Sequence, residues 1–330
     1  MAKSLINHMM IQDLFCKYYD YRPFRNQTLN KILGNSSKIL SVLANIILPL
    51  YYRLSPGVRY YRRNYERLPK TDAIICFTSF PARIGNVWLV IETLLRQSVL
   101  PRKIVLYLSK LQFMDEESIP SILNQYVDLG VLSIKLVDDD IRSHKKYWYA
   151  VSEYQDYPLI TVDDDIIYQS SFIEGLEKAA GSHKNAIPCY YWTFMERDDN
   201  NDVLPYSKWA NKRSQYEESG VSSNVFFGSG GGAYFPVGSL NGANQPFNVL
   251  RSVCPLADDI WLNAIVRKNS FFPYGLPYTY SVPEWYCNGN QKLSSINNGA
   301  CKNDEQLLAV VEFFKENNGY NPFCLENGEV

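Results

Sequence analysis

The sequence predicts an α/β protein: a mainly parallel sheet flanked by helices, with an N-terminal helical extension. Two observations predict the sheet. From residue 70 onward, short apolar and β-branched runs alternate with apolar-faced helical stretches, the pattern of repeated βα units. One such run, residues 159–162, shows no polar alternation, so it reads as a strand buried on both faces. A third observation sets the extension apart. Residues 1–70 contain 12 Lys and Arg against 3 Asp and Glu, a net of +9; the remaining 260 residues carry 21 against 31, a net of −10. A basic end on an acidic body points to an anionic partner for that end alone.

The elements follow in order. Residues 72–80 begin with a strand. Residues 87–97 form an apolar-faced helix that stops before Pro101. A second strand spans 103–109. A helix spans 115–126, with Asp115 as its cap. The third strand, 131–137, alternates apolar and polar residues, so it is half exposed and near an edge. A helix at 145–155, the fourth strand at 159–162, a helix at 170–180 and a strand at 186–193 complete the alternation. Residues 196–225 are polar and acidic, a long excursion of the kind that is usually functional. The boundaries drawn are 1–70 for the extension and 71–330 for the main domain, divided at 168/169, with a tail at 311–330.

Within the extension, residues 39–52 (ILSVLANIILPLYY) are mostly apolar. Fourteen residues are too few for a spanning helix, which needs roughly 20, and Pro49 is expected to interrupt the run. Lys31, Lys38, Arg53, Arg59, Arg62, Arg63 and Arg67 surround it, mixed with Tyr51, Tyr52, Tyr60, Tyr61 and Tyr65. That mixture suits an anionic membrane surface. The alternative is a helical pair packed on the following domain. No nucleic-acid-binding module surrounds the basic patch, so no nucleic acid is expected as partner. The seven cysteines are scattered without a Cys-x-x-Cys, which suggests a reducing compartment and no structural zinc. Met1–Met10 lacks the pattern of a secretory leader, and a cytoplasmic location, peripheral on the inner membrane face, is expected.

The fourth strand ends on Asp163, Asp164 and Asp165. Three carboxylates at the tip of a buried strand repel one another unless a cation sits among them. In open α/β sheets ligands bind at the carboxyl ends of strands. A divalent ion held by carboxylates and substrate phosphates is one way to use such a cluster, so Mg²⁺ or Mn²⁺ is expected. A second triplet, Asp138-Asp139-Asp140, follows the third strand; Asp139 or Asp140 touching a base or ribose, and a salt-bridged turn, are both open. Lys145 and Lys146 near a helix start suit a diphosphate. Gly228–Gly232 holds four glycines in five residues, which lets backbone approach a ligand closely. Asp258 and Asp259 precede an apolar helical stretch, as helix caps or as a catalytic base. No Gly-x-Gly-x-x-Gly follows the first strand, and no P-loop is present.

Five blocks in order carry a family resemblance: Thr78-Ser79-Phe80-Pro81-Ala82-Arg83-Ile84, His144-Lys145-Lys146-Tyr147, Asp163-Asp164-Asp165, Gly228 to Pro236, and Ala257-Asp258-Asp259-Ile260-Trp261-Leu262. Over roughly residues 72–310 the chain resembles the GT-A-fold, family-2-type bacterial glycosyltransferases that build capsule and lipopolysaccharide. The resemblance implies a nucleotide-binding half at 71–168 and an acceptor half at 169–310. It implies Ser79, Pro81, Arg83, Asp139, Asp140, Lys145, Lys146, Asp163 and Asp164 around a nucleotide-diphosphate sugar, UDP-sugar first. Asp165 would bind the metal directly, and Asp163 would act near it or the ribose. Gly230, Gly231 and Gly232, with Trp192 and Trp209, would face a saccharide acceptor, lipid-linked given the basic extension. Asp259 would be the base of an inverting transfer and Asp258 the acid before it, although the family pattern has Glu there. No late His is available as a further metal ligand; Asn297, Asn298 or Asp304 would have to substitute. The Gln-x-x-Arg-Trp motif of processive synthases is absent, so one sugar per acceptor is expected. Two other readings stay open: a nucleotidyltransferase on a related sheet, and a non-catalytic carbohydrate-binding protein.

Overall fold

The computed structural model describes residues 10–18, 27–115, 118–209, 218–277, 285 and 302–324, with no side chain described for Tyr18 or for 27–38. Ten helices are described: α1 (Ile11–Tyr18), α2 (Gln27–Leu54), α3 (Gly57–Asn64), α4 (Val87–Leu94), α5 (Asn124–Asp128), α6 (Lys145–Glu153), α7 (Phe172–Ser182), α8 (Phe247–Val253), α9 (Asp258–Lys268) and α10 (Lys302–Asn318). Nine strands accompany them: β1 (Lys70–Thr78), β2 (Leu100–Ser109), β3 (Leu132–Val137), β4 (Leu159–Thr161), β5 (Ala186–Cys189), β6 (Trp192–Phe194), β7 (Val225–Phe227), β8 (Ala233–Phe235) and β9 (Phe272–Gly275).

Seven strands form the main sheet in the order β3-β2-β1-β4-β8-β5-β9, and β6 and β7 pair separately. Among the described strands of the main sheet, only β8 runs antiparallel to its neighbours. The class is therefore α/β with a mainly parallel sheet flanked by helices, as the alternation requires. β3, with its polar alternation, lies at an edge. β4, without alternation, lies in the middle, and Leu159, Ile160 and Thr161 are all buried.

The register decides where chemistry can occur. Cys76 of β1 pairs with Thr161 of β4, and Thr161 pairs with Ala233 of β8. The segments after β1 and β4 and the segment before β8 therefore meet at one edge of the sheet. That edge is the carboxyl end of the parallel strands.

Three expectations need correction. Pro49 does not interrupt its run: α2 is continuous through it. A proline forfeits one i→i−4 bond, but Ala44, Leu48 and Tyr52 bury one face of α2 in the core, and that packing outweighs the loss. Among the described residues, the helix expected at 115–126 gives way to a 3₁₀ turn at Ser121–Leu123 leading into α5. Pro120 disfavours helical backbone at Ile119, so a helix cannot run through. The strand expected at 186–193 divides into β5 and β6, which belong to different sheets.

The N-terminal helices share one apolar cluster with the sheet. Phe15, Cys16, Ala44, Leu48, Tyr52, Val58 and Tyr61 pack with residues of β1, α4 and β2. A buried polar knot adds to this contact. Glu92 accepts from the Gly57 amide at 2.7 Å and from the Tyr126 hydroxyl at 2.7 Å, and it pairs with Arg96.

Candidate functional site

The sheet edge gathers nearly every charged residue singled out in the sequence, although with different partners from those expected. Asp163, Asp164 and Asp165 follow β4 and divide between two cations, Lys146 and Arg83. Asp164 is buried; it accepts from the Ser79 hydroxyl and from Arg83 Nη1 at 2.9 Å. Burial raises its pKa above the ordinary carboxylate value, against the pull of Arg83 and Ser79. The same Arg83 Nη1 lies 2.8 Å from Asp165 Oδ2. Asp163, the most exposed of the three, accepts from Lys146 Nζ at 2.9 Å. Pro81 is exposed on the loop between Ser79 and Arg83.

Lys146 is the hub. Its side chain is 4% exposed, yet its ammonium touches Asp163, Asp258 at 3.0 Å and Ser229 Oγ at 3.1 Å. Burial alone would lower its pKa; the carboxylates of Asp163, Asp258 and Asp259 overcome that and raise it. Lys146 is thus committed to neutralising carboxylates, and the expected diphosphate contact is not what holds it here. Lys145 is likewise held by Asp140, and burial lowers its pKa.

Asp258 and Asp259 occupy the first turn of α9, with Ala257 at the cap position. The cap reading fails because their carboxylates accept from other elements. Asp258 accepts from Lys146 and from Ser229 Oγ at 2.8 Å; Asp259 accepts from the Ser229 amide at 2.7 Å. The environments separate the pair. Burial would raise Asp258, but Lys146 and His144 outweigh it and hold the pKa down at about 2. Partial burial, then the Asp258 charge, push Asp259 up to about 7. Environments that drive two neighbouring carboxylates apart in this way let one stay ionised while the other holds or takes a proton near neutral pH.

Close backbone approach explains the glycines. A Cβ on Gly230 would lie 1.7 Å from Asp163 Oδ2. On Gly231 it would meet Tyr191 Cβ at 2.2 Å, and on Gly232, where φ is +105°, Phe172 at 2.1 Å. These three residues are buried, and what they approach is the protein's own side chains rather than open acceptor space. Trp192 is a further correction: it is buried, donates to the Leu276 carbonyl at 2.9 Å and packs on Gly275. Trp209 is partly buried against Tyr206 and Phe226, and donates to Leu204. Both tryptophans are packing residues. Among the described residues, the exposed rings of this region are Tyr191 and Phe194.

The second aspartate triplet is a salt-bridged turn. Asp138 pairs with Lys110 at 2.6 Å, Asp139 with Arg251 at 2.9 Å, and Asp140 with Lys145 and Gln112. His144 is structural: Nε2 donates to the Cys254 carbonyl at 2.7 Å, which leaves Nδ1 to accept from the Tyr147 hydroxyl. Its pKa is lowered by burial.

The donor set does not make a metal site as it stands. The two residues assigned to the ion, Asp163 and Asp165, are held by different cations, Lys146 and Arg83. Arg83 already bridges Asp164 and Asp165, and no three carboxylate, histidine or cysteine side chains converge on a common point among the described residues. Asp304 accepts from the Ser207 amide and hydroxyl. Asn297 and Asn298 lie outside the described residues.

Two residues that sequence reasoning passed over complete the site. Ser229 joins Lys146, Asp258 and Asp259, and its carbonyl accepts from Thr161. A hydroxyl inside a glycine run was the available signal. The Tyr168 hydroxyl accepts from the Asp163 amide at 2.8 Å and donates to the Gly230 carbonyl at 2.6 Å, fixing the two loops together. Nothing local in the sequence marks Tyr168.

No family model matches the chain, and no curated protein matches it. Among solved structures it is similar to the mannosyltransferase PcManGT from Pyrobaculum calidifontis in complex with GDP-Man and Mn2+. The likeness covers 86% of this chain and 76% of that one, at 11% identity and a TM-score of 0.41. At that distance the likeness carries no functional argument, and function has to be read from the residues themselves.

Proposed function

We propose that this chain is a GT-A-like glycosyltransferase that moves one hexosyl unit from a nucleotide-diphosphate sugar to a saccharide hydroxyl with inversion. The observation that carries the reading is the Asp258–Asp259 pair beside Lys146, at the carboxyl end of the sheet. A base works best when its pKa lies near the operating pH, and Asp259 sits at about 7. In the proposed step the acceptor O–H gives its proton to Asp259. The acceptor oxygen bonds to the anomeric carbon as the bond to the diphosphate breaks, and the nucleoside diphosphate leaves with the electron pair. Asp258, ionised and paired with Lys146, keeps Asp259 proton-seeking. In this reading Arg83, on the loop after β1, exchanges its pairing with Asp164 and Asp165 for the leaving diphosphate. UDP as the carrier, a lipid-linked acceptor in surface polysaccharide synthesis and the inner membrane face are part of the same proposal, supported by the motif resemblance and the basic extension.

The test is a panel of UDP-, GDP-, CMP- and dTDP-sugars, read by thermal shift with and without Mn²⁺, followed by product analysis with saccharide acceptors. One donor should stabilise the protein by mass action, and transfer should release a nucleoside diphosphate. Asp259→Asn should keep donor binding and lose about 10²–10⁴-fold in turnover. Release of pyrophosphate, or unchanged turnover in Asp259→Asn, would refute the proposal.

A further inference from the structure

The exposed side of α2 is apolar where water should select polar residues. Between residues 39 and 52 there is no charged side chain. Ile46 is 55% exposed, Leu50 56% and Leu54 81%, and Ile39, Val42 and Ile47 lie on the same side. Their spacing follows the helical repeat. Ser41, Ala44, Leu48 and Tyr52 form the opposite, buried side. The stripe continues into a cleft of about 360 Å³ lined by Val42, Ile46, Pro49, Arg53, Trp88 and Leu89. Contiguous apolar surface of this kind marks an interaction site.

From this face we infer that α2 seats the protein on an anionic lipid leaflet, its apolar stripe in the acyl boundary and the arginines of α3 on the headgroup phosphates. Charge identifies the occupant. Arg53 lines the cleft beside the stripe, and Arg59, Arg62, Arg63 and Arg67, which follow it in the chain, are all exposed, while the rest of the chain is net acidic. A second copy would bring the same arginines to the contact and be repelled. A leaflet of acidic lipids attracts them and also accepts the stripe. The helix lies on the surface rather than crossing it. Among the described residues no single helix is long and apolar enough to cross a membrane; Ile39–Leu54 and Gly57–Asn64 together match a broken span by length and composition, bent by 58°. That pair buries Ala44, Leu48, Tyr52, Val58 and Tyr61 in the protein core, so only one side is available to lipid. The cleft also takes Gly85 and Asn86, which follow Arg83 by two and three residues. Docking would therefore bring the leaflet beside the loop that carries Arg83.

The docking itself does not depend on the transferase reading, and its test needs no substrate. Full-length protein is sedimented with phosphatidylglycerol/phosphatidylcholine vesicles and with pure phosphatidylcholine vesicles. Wild type should partition onto the anionic vesicles and far less onto the neutral ones. Ile46→Asp with Leu50→Asp should lower partitioning at least tenfold while leaving the circular dichroism spectrum and unfolding midpoint in place. Arg59→Gln with Arg62→Gln and Arg63→Gln should lose about tenfold or more on anionic vesicles only. Three results would overturn the inference: no vesicle binding by wild type, undiminished binding by the Asp variant, or a wild-type dimer that the Asp variant converts to monomer without any vesicle binding.

Discussion

Replacing Asp259 by Asn should make the protein more stable at alkaline pH and leave it unchanged at acid pH. The native carboxyl titrates at about 7 and the unfolded one near 3.8. Between those values the native state binds more protons than the unfolded state, so unfolding free energy falls as pH rises. At about 1.4 kcal/mol per pH unit, the full displacement amounts to about 4 kcal/mol above pH 7. Asp259 shares this shift with the neighbouring Asp258, which brings the expected gain of the variant to about 2–4 kcal/mol. Asparagine keeps the oxygen that accepts from the Ser229 amide, so the contact survives while the charge is lost. Asp258 works in the opposite sense. Its native value of about 2 lies below 3.8, so its contribution is present above pH 3.8 and disappears as pH falls through about 2. The two effects occupy separate windows. Urea unfolding at about pH 4, 6 and 8.5 separates them. The curves of wild type and Asp259→Asn should coincide at the lowest pH and diverge at the highest. A pH-independent difference, or a variant weaker than wild type at the highest pH, would refute the assignment of a raised Asp259.

Three further perturbations test the surrounding architecture. Lys146→Met leaves Asp258 buried without its cation, so about 3–5 kcal/mol of stability should be lost in urea unfolding, with the Asp258 titration moving upward. Gly230→Ala places a methyl 1.7 Å from the Asp163 carboxylate. Overpacking of this kind costs about 1–3 kcal/mol, and any donor-induced thermal shift should shrink because Asp163 is displaced from Lys146. Trp192→Ala should cost about 3–5 kcal/mol of stability without a selective change in acceptor KM, since the ring is buried against Gly275; a KM effect at unchanged stability would restore it to the acceptor groove.

The sheet was readable because its signals are local. β4 is a continuous apolar run and β3 alternates, and those patterns alone place one strand in the centre and the other at an edge. The acidic positions were readable because strand ends are where charge collects. Their partners were not. Lys146 meets Asp258 across 112 residues, and Arg83 meets Asp164 across 81. No periodicity encodes such pairings; they follow from β1 and β4 ending, and β8 beginning, at one edge. The tryptophans misled for a related reason. Trp192 has the polar tip of a sugar-stacking residue, but that N–H is spent on Leu276 within the core. Composition cannot tell which carbonyl an indole will find.

The extension shows how far a local reading can mislead about independence. Residues 1–70 differ in charge from everything after them, yet they form part of the wall beneath the aspartate triplet. Gln12 donates to the Tyr168 carbonyl at 2.9 Å, and Asp13 accepts from the Ser170 amide at 2.7 Å. Tyr168 in turn holds the Asp163 and Gly230 loops with its hydroxyl. Tyr52 of α2 donates to Gln12, and its ring contacts Trp285, whose amide donates to the Asp165 carbonyl at 2.7 Å. Both ends of the triplet are therefore braced from the N-terminal helices. Cutting the chain before β1 would also expose Glu92 and Arg96, which now satisfy the start of α3. A truncated protein that lost membrane binding and activity together would reveal nothing about either. Substitutions confined to the outer side of α2 leave Gln12, Tyr52 and Glu92 in place, and only those can separate what the helix does for the leaflet from what it does for the site.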